Sequence, residues 1–137
     1  MIGILVVTHR HLGDALIDCV DFILGERPVA LKAISIDLRE NAGDLRNKIE
    51  KGIKAVRSDK GVLILTDMFG GTPSNLSYSF LEEGHVEVIS GVNLPILVKA
   101  VGVRKDKSLT ELAEHLEGFG RKSISLASGI LKGNKRS

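Results

Sequence analysis

The sequence predicts an α/β fold: a doubly wound, mostly parallel sheet of four strands plus a C-terminal edge strand, with helices on both faces. Three observations carry this prediction. Residues 2–7 and 62–65 are apolar runs with the composition of strands covered on both faces, and the β-rich segment 29–36 and the short run 86–89 supply two more strands. Between them lie segments whose apolar residues recur at three- and four-residue spacing. Strands and helices therefore alternate, which implies right-handed crossovers and puts the carboxyl end of every strand on one rim.

The first strand, 2–7, ends at Thr8-His9-Arg10-His11. Leu12, Ala15, Leu16, Cys19, Val20, Ile23 and Leu24 then fall on one helical face, and Gly25 ends the pattern as a C-terminal cap. On that stripe the single Cys19 is expected to be a buried structural thiol, and alone it forms no internal disulfide, in keeping with a reducing compartment. The second strand, 29–36, lies between Pro28 and Asp37. Leu45, Ile49, Ile53 and Val56 mark the next helix, with Asn41 and Asp44 as its start signal. After the third strand the helix is expected over about 73–82, and Gly84 breaks it. Asn93 stands at the carboxyl end of the fourth strand, before an apolar helix over 95–103. Ser108 and Glu111 form a capping box for a helix carrying Leu109, Leu112, Leu116 and Phe119 inward. Residues 123–128 alternate polar side chains with Ile124 and Leu126, the pattern of a half-buried edge strand.

A chain of 137 residues is one domain, here expected over 1–130 with a basic tail over 131–137. Hydrophobic residues at 43% and charged residues at 26% favour neither disorder nor a membrane protein. No apolar stretch spans a bilayer, and Met1 leads straight into a strand without a basic leader, so a cytoplasmic protein is expected. A net charge of only +2, with one Tyr and no Trp, argues against nucleic acid as a partner.

The chemistry centres on residues 61–75, Gly-Val-Leu-Ile-Leu-Thr-Asp-Met-Phe-Gly-Gly-Thr-Pro-Ser-Asn. Asp67 stands at a strand's carboxyl end, where open α/β sheets place ligand-contacting groups. Gly70 and Gly71 open the backbone to close approach, and Thr72-Pro73 reads as an N-cap followed by proline at the first helical position, so the turn suits phosphate oxygens. A plain strand-to-helix turn has the same composition, and the rest of the chain must decide between the two. If the first and third strands are neighbours, as in the flavodoxin-like order, His9 comes beside Asp67. A neutral imidazole can then attack phosphorus while the carboxylate fixes its tautomer and steadies the developing positive charge. The competitors lack parts. A metal on His9 and His11 has no further ligands at a recognisable spacing, a receiver aspartate wants an acidic pair after the first strand, and a P-loop needs Gly-Lys-Ser/Thr after its glycines.

Four ordered blocks carry a resemblance: Ile4-Leu5-Val6-Val7-Thr8-His9, Glu40-Asn41-Ala42, residues 61–75, and Ser90-Gly91-Val92-Asn93-Leu94-Pro95. Together the chain resembles the IIA component of the mannose family of the bacterial sugar phosphotransferase system, over nearly its whole length. The resemblance implies that residues 1–130 form a IIA domain, and that His9 accepts a phosphoryl group from the phosphohistidine carrier HPr and passes it to a IIB component. It implies Asp67 as the orienting carboxylate, Gly70, Gly71 and Thr72 at the phosphoryl site, and Thr8 and Asn93 on its rim. Neither metal nor other cofactor is expected. A homodimer is implied, in which the C-terminal edge strand, here 123–128, can cross to the partner, and membrane contact is implied only through a permease complex. A regulatory module switched by phosphorylation, without sugar transport, is the alternative. Arg10 stands where this family usually has glycine, which bears on partner choice or on phosphate contact. The 137 residues carry no IIB domain, which leaves the phosphoryl recipient open.

Overall fold

A computed structural model describes residues 1–133. Its elements follow the expected alternation: β1 (Gly3–His9), α1 (Leu12–Leu24), β2 (Leu31–Ile36), α2 (Ala42–Val56), β3 (Val62–Thr66), α3 (Thr72–Tyr78), β4 (Val86–Ser90), α4 (Leu94–Val103), a 3₁₀ turn (Arg104–Asp106), α5 (Leu109–Lys122) and α6 (Ala127–Leu131). The strands form one sheet in the order β2-β1-β3-β4, with parallel pairing throughout. The apolar runs form strands because both faces are covered. On one face Ile4, Val6, Leu63 and Leu65 pack with residues of α1, α4 and α5. On the other, Leu5, Val7, Val62 and Ile64 pack with Leu45, Ile49, Ile53 and Val56 of α2. Every residue of β3 is buried, as a doubly wound sheet requires of a central strand.

Local signals act where the sequence places them. Gly25 closes α1 in the left-handed conformation, with φ of 78°. The Asn41 side chain accepts from Asp44 N–H at the start of α2. Ser108 and Glu111 form a reciprocal capping box on α5. The Glu111 carboxyl consequently lies below its ordinary range, chiefly through its bond from the Ser108 main chain.

Four expectations are corrected. Among the described residues no fifth strand joins the sheet. A strand needs a ladder partner, and instead Leu126 C=O accepts from Gly129 and Ile130 N–H, winding 127–131 into α6. Cys19 is exposed rather than buried. The buried face of α1 runs through Gly13, Ile17 and Val20, with Leu16 packed beside it, so of the expected stripe Val20 and Leu16 meet the core while Leu12, Ala15, Cys19, Ile23 and Leu24 are exposed. Apart from the stripe of Asp14, Asp18 and Asp21 this helix is apolar, so three- and four-residue spacing fits more than one face. Finally, Gly71 rather than Thr72 is the N-cap of α3, and Thr72 is its first residue. Of the tail expected over 131–137, Leu131 belongs to α6 and residues 134–137 lie outside the described residues.

Gly3 shows how tightly the sheet meets α2. A Cβ there would lie 2.0 Å from the Val56 carbonyl oxygen, a backbone atom that cannot swing aside. Gly3→Ala is expected to destabilise the fold by about 3 kcal/mol or more, and chemical denaturation followed by circular dichroism would read this as a lowered midpoint.

Candidate functional site

The register of β1 and β3 assembles the site. Val7 pairs with Thr66, where β3 ends, and β1 runs two residues further along β2, which brings His9 beside Asp67 on the carboxyl rim. Asp67 Oδ2 accepts from the His9 main-chain N–H at 2.8 Å and meets His9 Nδ1 at 2.8 Å. Its Oδ1 accepts from Met68 N–H at 3.0 Å. An ionised carboxylate only accepts, so the ring proton of a neutral His9 belongs on Nδ1 and the lone pair on Nε2. The carboxylate side chain is 10% exposed and the imidazole 35%. A shielded acceptor thus holds a ring whose other edge reaches solvent.

The Gly-Gly turn closes on that edge. A Cβ at Gly71 would lie 2.9 Å from His9 Cε1 and 3.5 Å from Nε2, so only glycine lets the turn approach the ring. Gly70 takes φ of 84°. Thr72 is half-buried at the start of α3. With two turns and a proline in the first of them, α3 offers little dipole, and the amides of the turn itself are the groups able to meet anionic oxygens.

The two rim residues are occupied otherwise. Thr8 is fully buried, accepting from Gly13 N–H at 2.8 Å and donating to the Arg10 carbonyl at 3.3 Å, so it pins the loop that carries His9. Asn93 caps α4 through Ile96 N–H at 2.8 Å and donates to Ser123 Oγ at 3.2 Å. His11 lies 3.4 Å from Asp14 on an exposed surface. No group of three or more His, Cys, Asp or Glu stands ready to hold a metal among the described residues.

Three features escaped the sequence reading. A cluster of hydroxyls from Thr66, Ser74, Ser90 and Tyr78 lies behind the turn. Serines and threonines are too common for spacing to reveal it, although Ser74 does sit within the Gly-Gly-Thr-Pro-Ser-Asn turn. A groove of about 720 Å³ runs along the open edge of β4, lined by Phe69, Tyr78, Ser90, Ile96 and Ile124, and it includes neither His9 nor Asp67. Arg10, beside His9, occupies the left-handed region with φ of 48°. Its N–H donates to the Ile36 carbonyl at 2.9 Å, which ties the turn to β2. On the same rim, hydrogen bonds from Arg39 hold the Asp37 carboxyl well below the usual carboxylate range, and the Arg10 charge adds a smaller effect of the same sign.

Comparison with known proteins agrees along the chain. A family model described as "PTS system fructose IIA component" matches residues 3–117. The chain is 31% identical over 133 residues to the PTS system fructose-specific EIIA component of Bacillus subtilis (strain 168), covering 96% of this chain and 90% of that protein. It is 34% identical over 125 residues to the PTS system mannose-specific EIIAB component of Escherichia coli (strain K12), covering 90% of this chain but 38% of that longer protein. The crystal structure of phosphotransferase system component EIIA from Streptococcus agalactiae matches with a TM-score of 0.82 at 26% identity, covering 93% of this chain and 98% of that one.

The conformation of Arg10 makes a physical case for glycine at this position. A left-handed φ costs a non-glycine residue roughly 1–2 kcal/mol, partly returned by the lower entropy of its unfolded chain. Arg10→Gly is therefore expected to raise stability by about 1 kcal/mol, and a melting curve that falls instead would show that the arginine side chain contributes contacts outweighing the strain.

Proposed function

The chain belongs to the mannose-type EIIA family of the sugar phosphotransferase system, and on that premise we propose that His9 is its phosphoryl carrier, loaded by phosphorylated HPr and unloaded by a IIB component. Membership carries a phosphotransfer role in sugar uptake. The observation that supports the finer reading is the pair of 2.8 Å contacts from Asp67 Oδ2 to His9, which leave Nε2 as the open nitrogen beside Gly71.

The step balances without a metal or an external base. The Nε2 lone pair attacks phosphorus, the new N–P bond forms as the bond to the donor imidazole breaks, and that ring leaves with its electron pair. Positive charge develops on the His9 ring, which keeps its Nδ1 proton, and Asp67 offsets it. Charge spread over the outer oxygens of the moving group meets the amides of Gly70, Gly71 and Thr72 and the Thr72 hydroxyl. In the second half the recipient attacks the same phosphorus and His9 returns to its starting form. No helix among the described residues is long and apolar enough to cross a membrane. We accordingly place the carrier in the cytoplasm, meeting the membrane only through its permease complex.

The functional unit in this reading is a homodimer. β4 ends the sheet with an open edge, and a groove runs beside it. Ile124 and Leu126 are 82% and 76% exposed, and alternate along 123–128 as a strand added to the β4 edge of a second copy would. Of this segment Ile124 and Leu126 precede α6, and the helix after them exposes Ile130 and Leu131.

Incubation with phosphorylated HPr should give an acid-labile adduct on the wild type and none on His9→Ala; absence of an adduct on the wild type would overturn the carrier assignment. Asp67→Asn is expected to slow transfer by about 10–100-fold, the usual cost of losing a carboxylate that orients a histidine. Gly71→Ala should act as strongly, because its methyl group would occupy the approach to the ring.

A further inference from the structure

Behind the phosphoryl turn lies a set of four hydroxyls to which the transfer step assigns no part. Thr66 Oγ1 and Ser74 Oγ are 2.6 Å apart, Thr66 donates to Ser90 Oγ at 2.8 Å, Ser74 and Ser90 are 3.0 Å apart, and Ser90 meets the Tyr78 hydroxyl at 2.8 Å. Thr66 and Ser74 are completely buried. One bond leaves the cluster towards the site, where the Ser74 hydroxyl donates to the Met68 carbonyl.

That bond matters because of what Met68 does at its other end. Its N–H donates to Asp67 Oδ1, and Asp67 Oδ2 is the group that holds His9 Nδ1. The Met68 side chain is 55% exposed, so packing contributes little to fixing it. Gly70 and Gly71, which follow, supply no stiffness of their own. Asn75 holds the glycine end of the turn through the Gly70 and Gly71 carbonyls, and at the Met68 end the buried hydroxyl cluster is placed to provide the clamp. Chains of buried hydroxyls that satisfy one another are rigid, and removing one leaves its partners short of a bond in a low-dielectric setting.

We propose that Ser74 is a positioning residue for phosphoryl transfer: backed by Thr66, Ser90 and Tyr78, it fixes the Met68 carbonyl and thereby the carboxylate that selects the reactive tautomer of His9. The inference rests on the reading of His9 as the carrier. It separates from a simple packing role because it predicts a change at the His9 ring, beyond the Met68 peptide and the Asp67 carboxylate. A buried serine that merely filled space would leave that ring unchanged in any variant that folds.

The test uses full-length wild type, Ser74→Ala, Ser90→Ala and Ser90→Thr, each checked for folding by circular dichroism. Nitrogen-15 NMR of the His9 ring, with no phosphoryl donor present, reads the share of neutral ring carrying its proton on Nδ1. Transfer from phosphorylated HPr is then measured on the same samples. Ser74→Ala is expected to lower the Nδ1-protonated share and to cut kcat roughly tenfold or more, with KM for phosphorylated HPr unchanged. Ser90→Ala should show a smaller effect of the same kind, and Ser90→Thr, which keeps the hydroxyl, should restore both readings. Folded Ser74→Ala and Ser90→Ala with a wild-type tautomer share and wild-type kcat would overturn the proposal. Should Ser74→Ala fail to fold, the Ser90→Ala and Ser90→Thr pair decides by the same readings. A wild type that takes no phosphoryl group defeats the carrier reading alone, since the tautomer measurement needs no donor.

Discussion

The arrangement depends on the contact between Asp67 and His9, and that contact is a consequence of strand pairing. Two side chains separated by 58 residues meet because β1 and β3 are adjacent and parallel, in a register that pairs Val7 with the last residue of β3. The carboxylate takes both the main-chain and the ring nitrogen of the same residue, so it fixes the ring's position and its tautomer together. A one-residue slip of β1 against β3 would also turn the alternate faces of both strands the wrong way. The packing that holds Ile4, Val6, Leu63 and Leu65 in one core and Leu5, Val7 and Ile64 in the other is therefore the same constraint that keeps the site assembled.

Around this contact the molecule divides rigidity from freedom. Thr8 is tied to Gly13 and to the Arg10 carbonyl, and Arg10 to Ile36, so the loop carrying His9 is bonded on both sides of it. The opposing turn, residues 67–71, is built from a carboxylate, an exposed methionine and phenylalanine, and two glycines. The room beside the ring comes from the side chains the glycines lack. The Ser74 bond and the Asn75 side chain, which donates to the Gly70 carbonyl at 3.4 Å, tie this open turn to α3.

Much of this was legible in the sequence because strands covered on both faces leave an unmistakable composition, and because a glycine pair after such a strand has few uses. The adjacency of β1 and β3 followed from the fold class, and it brought His9 to Asp67. Other features depended on interactions that composition does not encode. The phase of α1 stayed hidden because Leu12, Ala15, Cys19, Phe22 and Ile23 give it a second apolar face, and only tertiary packing picks the one through Ile17 and Val20. Alternation at 123–128 predicts a strand, yet alternation reports which faces an extended segment would present, and among the described residues no strand of the sheet pairs with it. Thr8 and Asn93, which the resemblance puts on the rim, use their side chains in bonds that shape the loops, and no pattern in the sequence marks those bonds. The hydroxyl cluster draws on Thr66, Ser74, Tyr78 and Ser90, whose grouping exists only once β3, α3 and β4 are packed.

The opposite end of the sheet shows why such an open rim is affordable. There the guanidinium of Arg104, 3% exposed, donates to the carbonyls of Ile2, Val29 and Ala30, which lead into β1 and β2. Burial pushes its pKa down from the ordinary value, a sign that the charge is kept in a place water scarcely reaches. Ala30 sits at φ of 50°, an unfavourable conformation for a residue with a side chain, and the arginine bonds the carbonyls on both sides of that strained φ and ψ pair. Gly3 and Gly61 complete this end by admitting backbone carbonyls where a Cβ would collide. The strand beginnings are thus locked by a buried cation and by close backbone contacts, and the strand endings are free to be built from turns. The candidate site, with its His9–Asp67 contact and its glycine turn, occupies the end of the sheet that this lock leaves free.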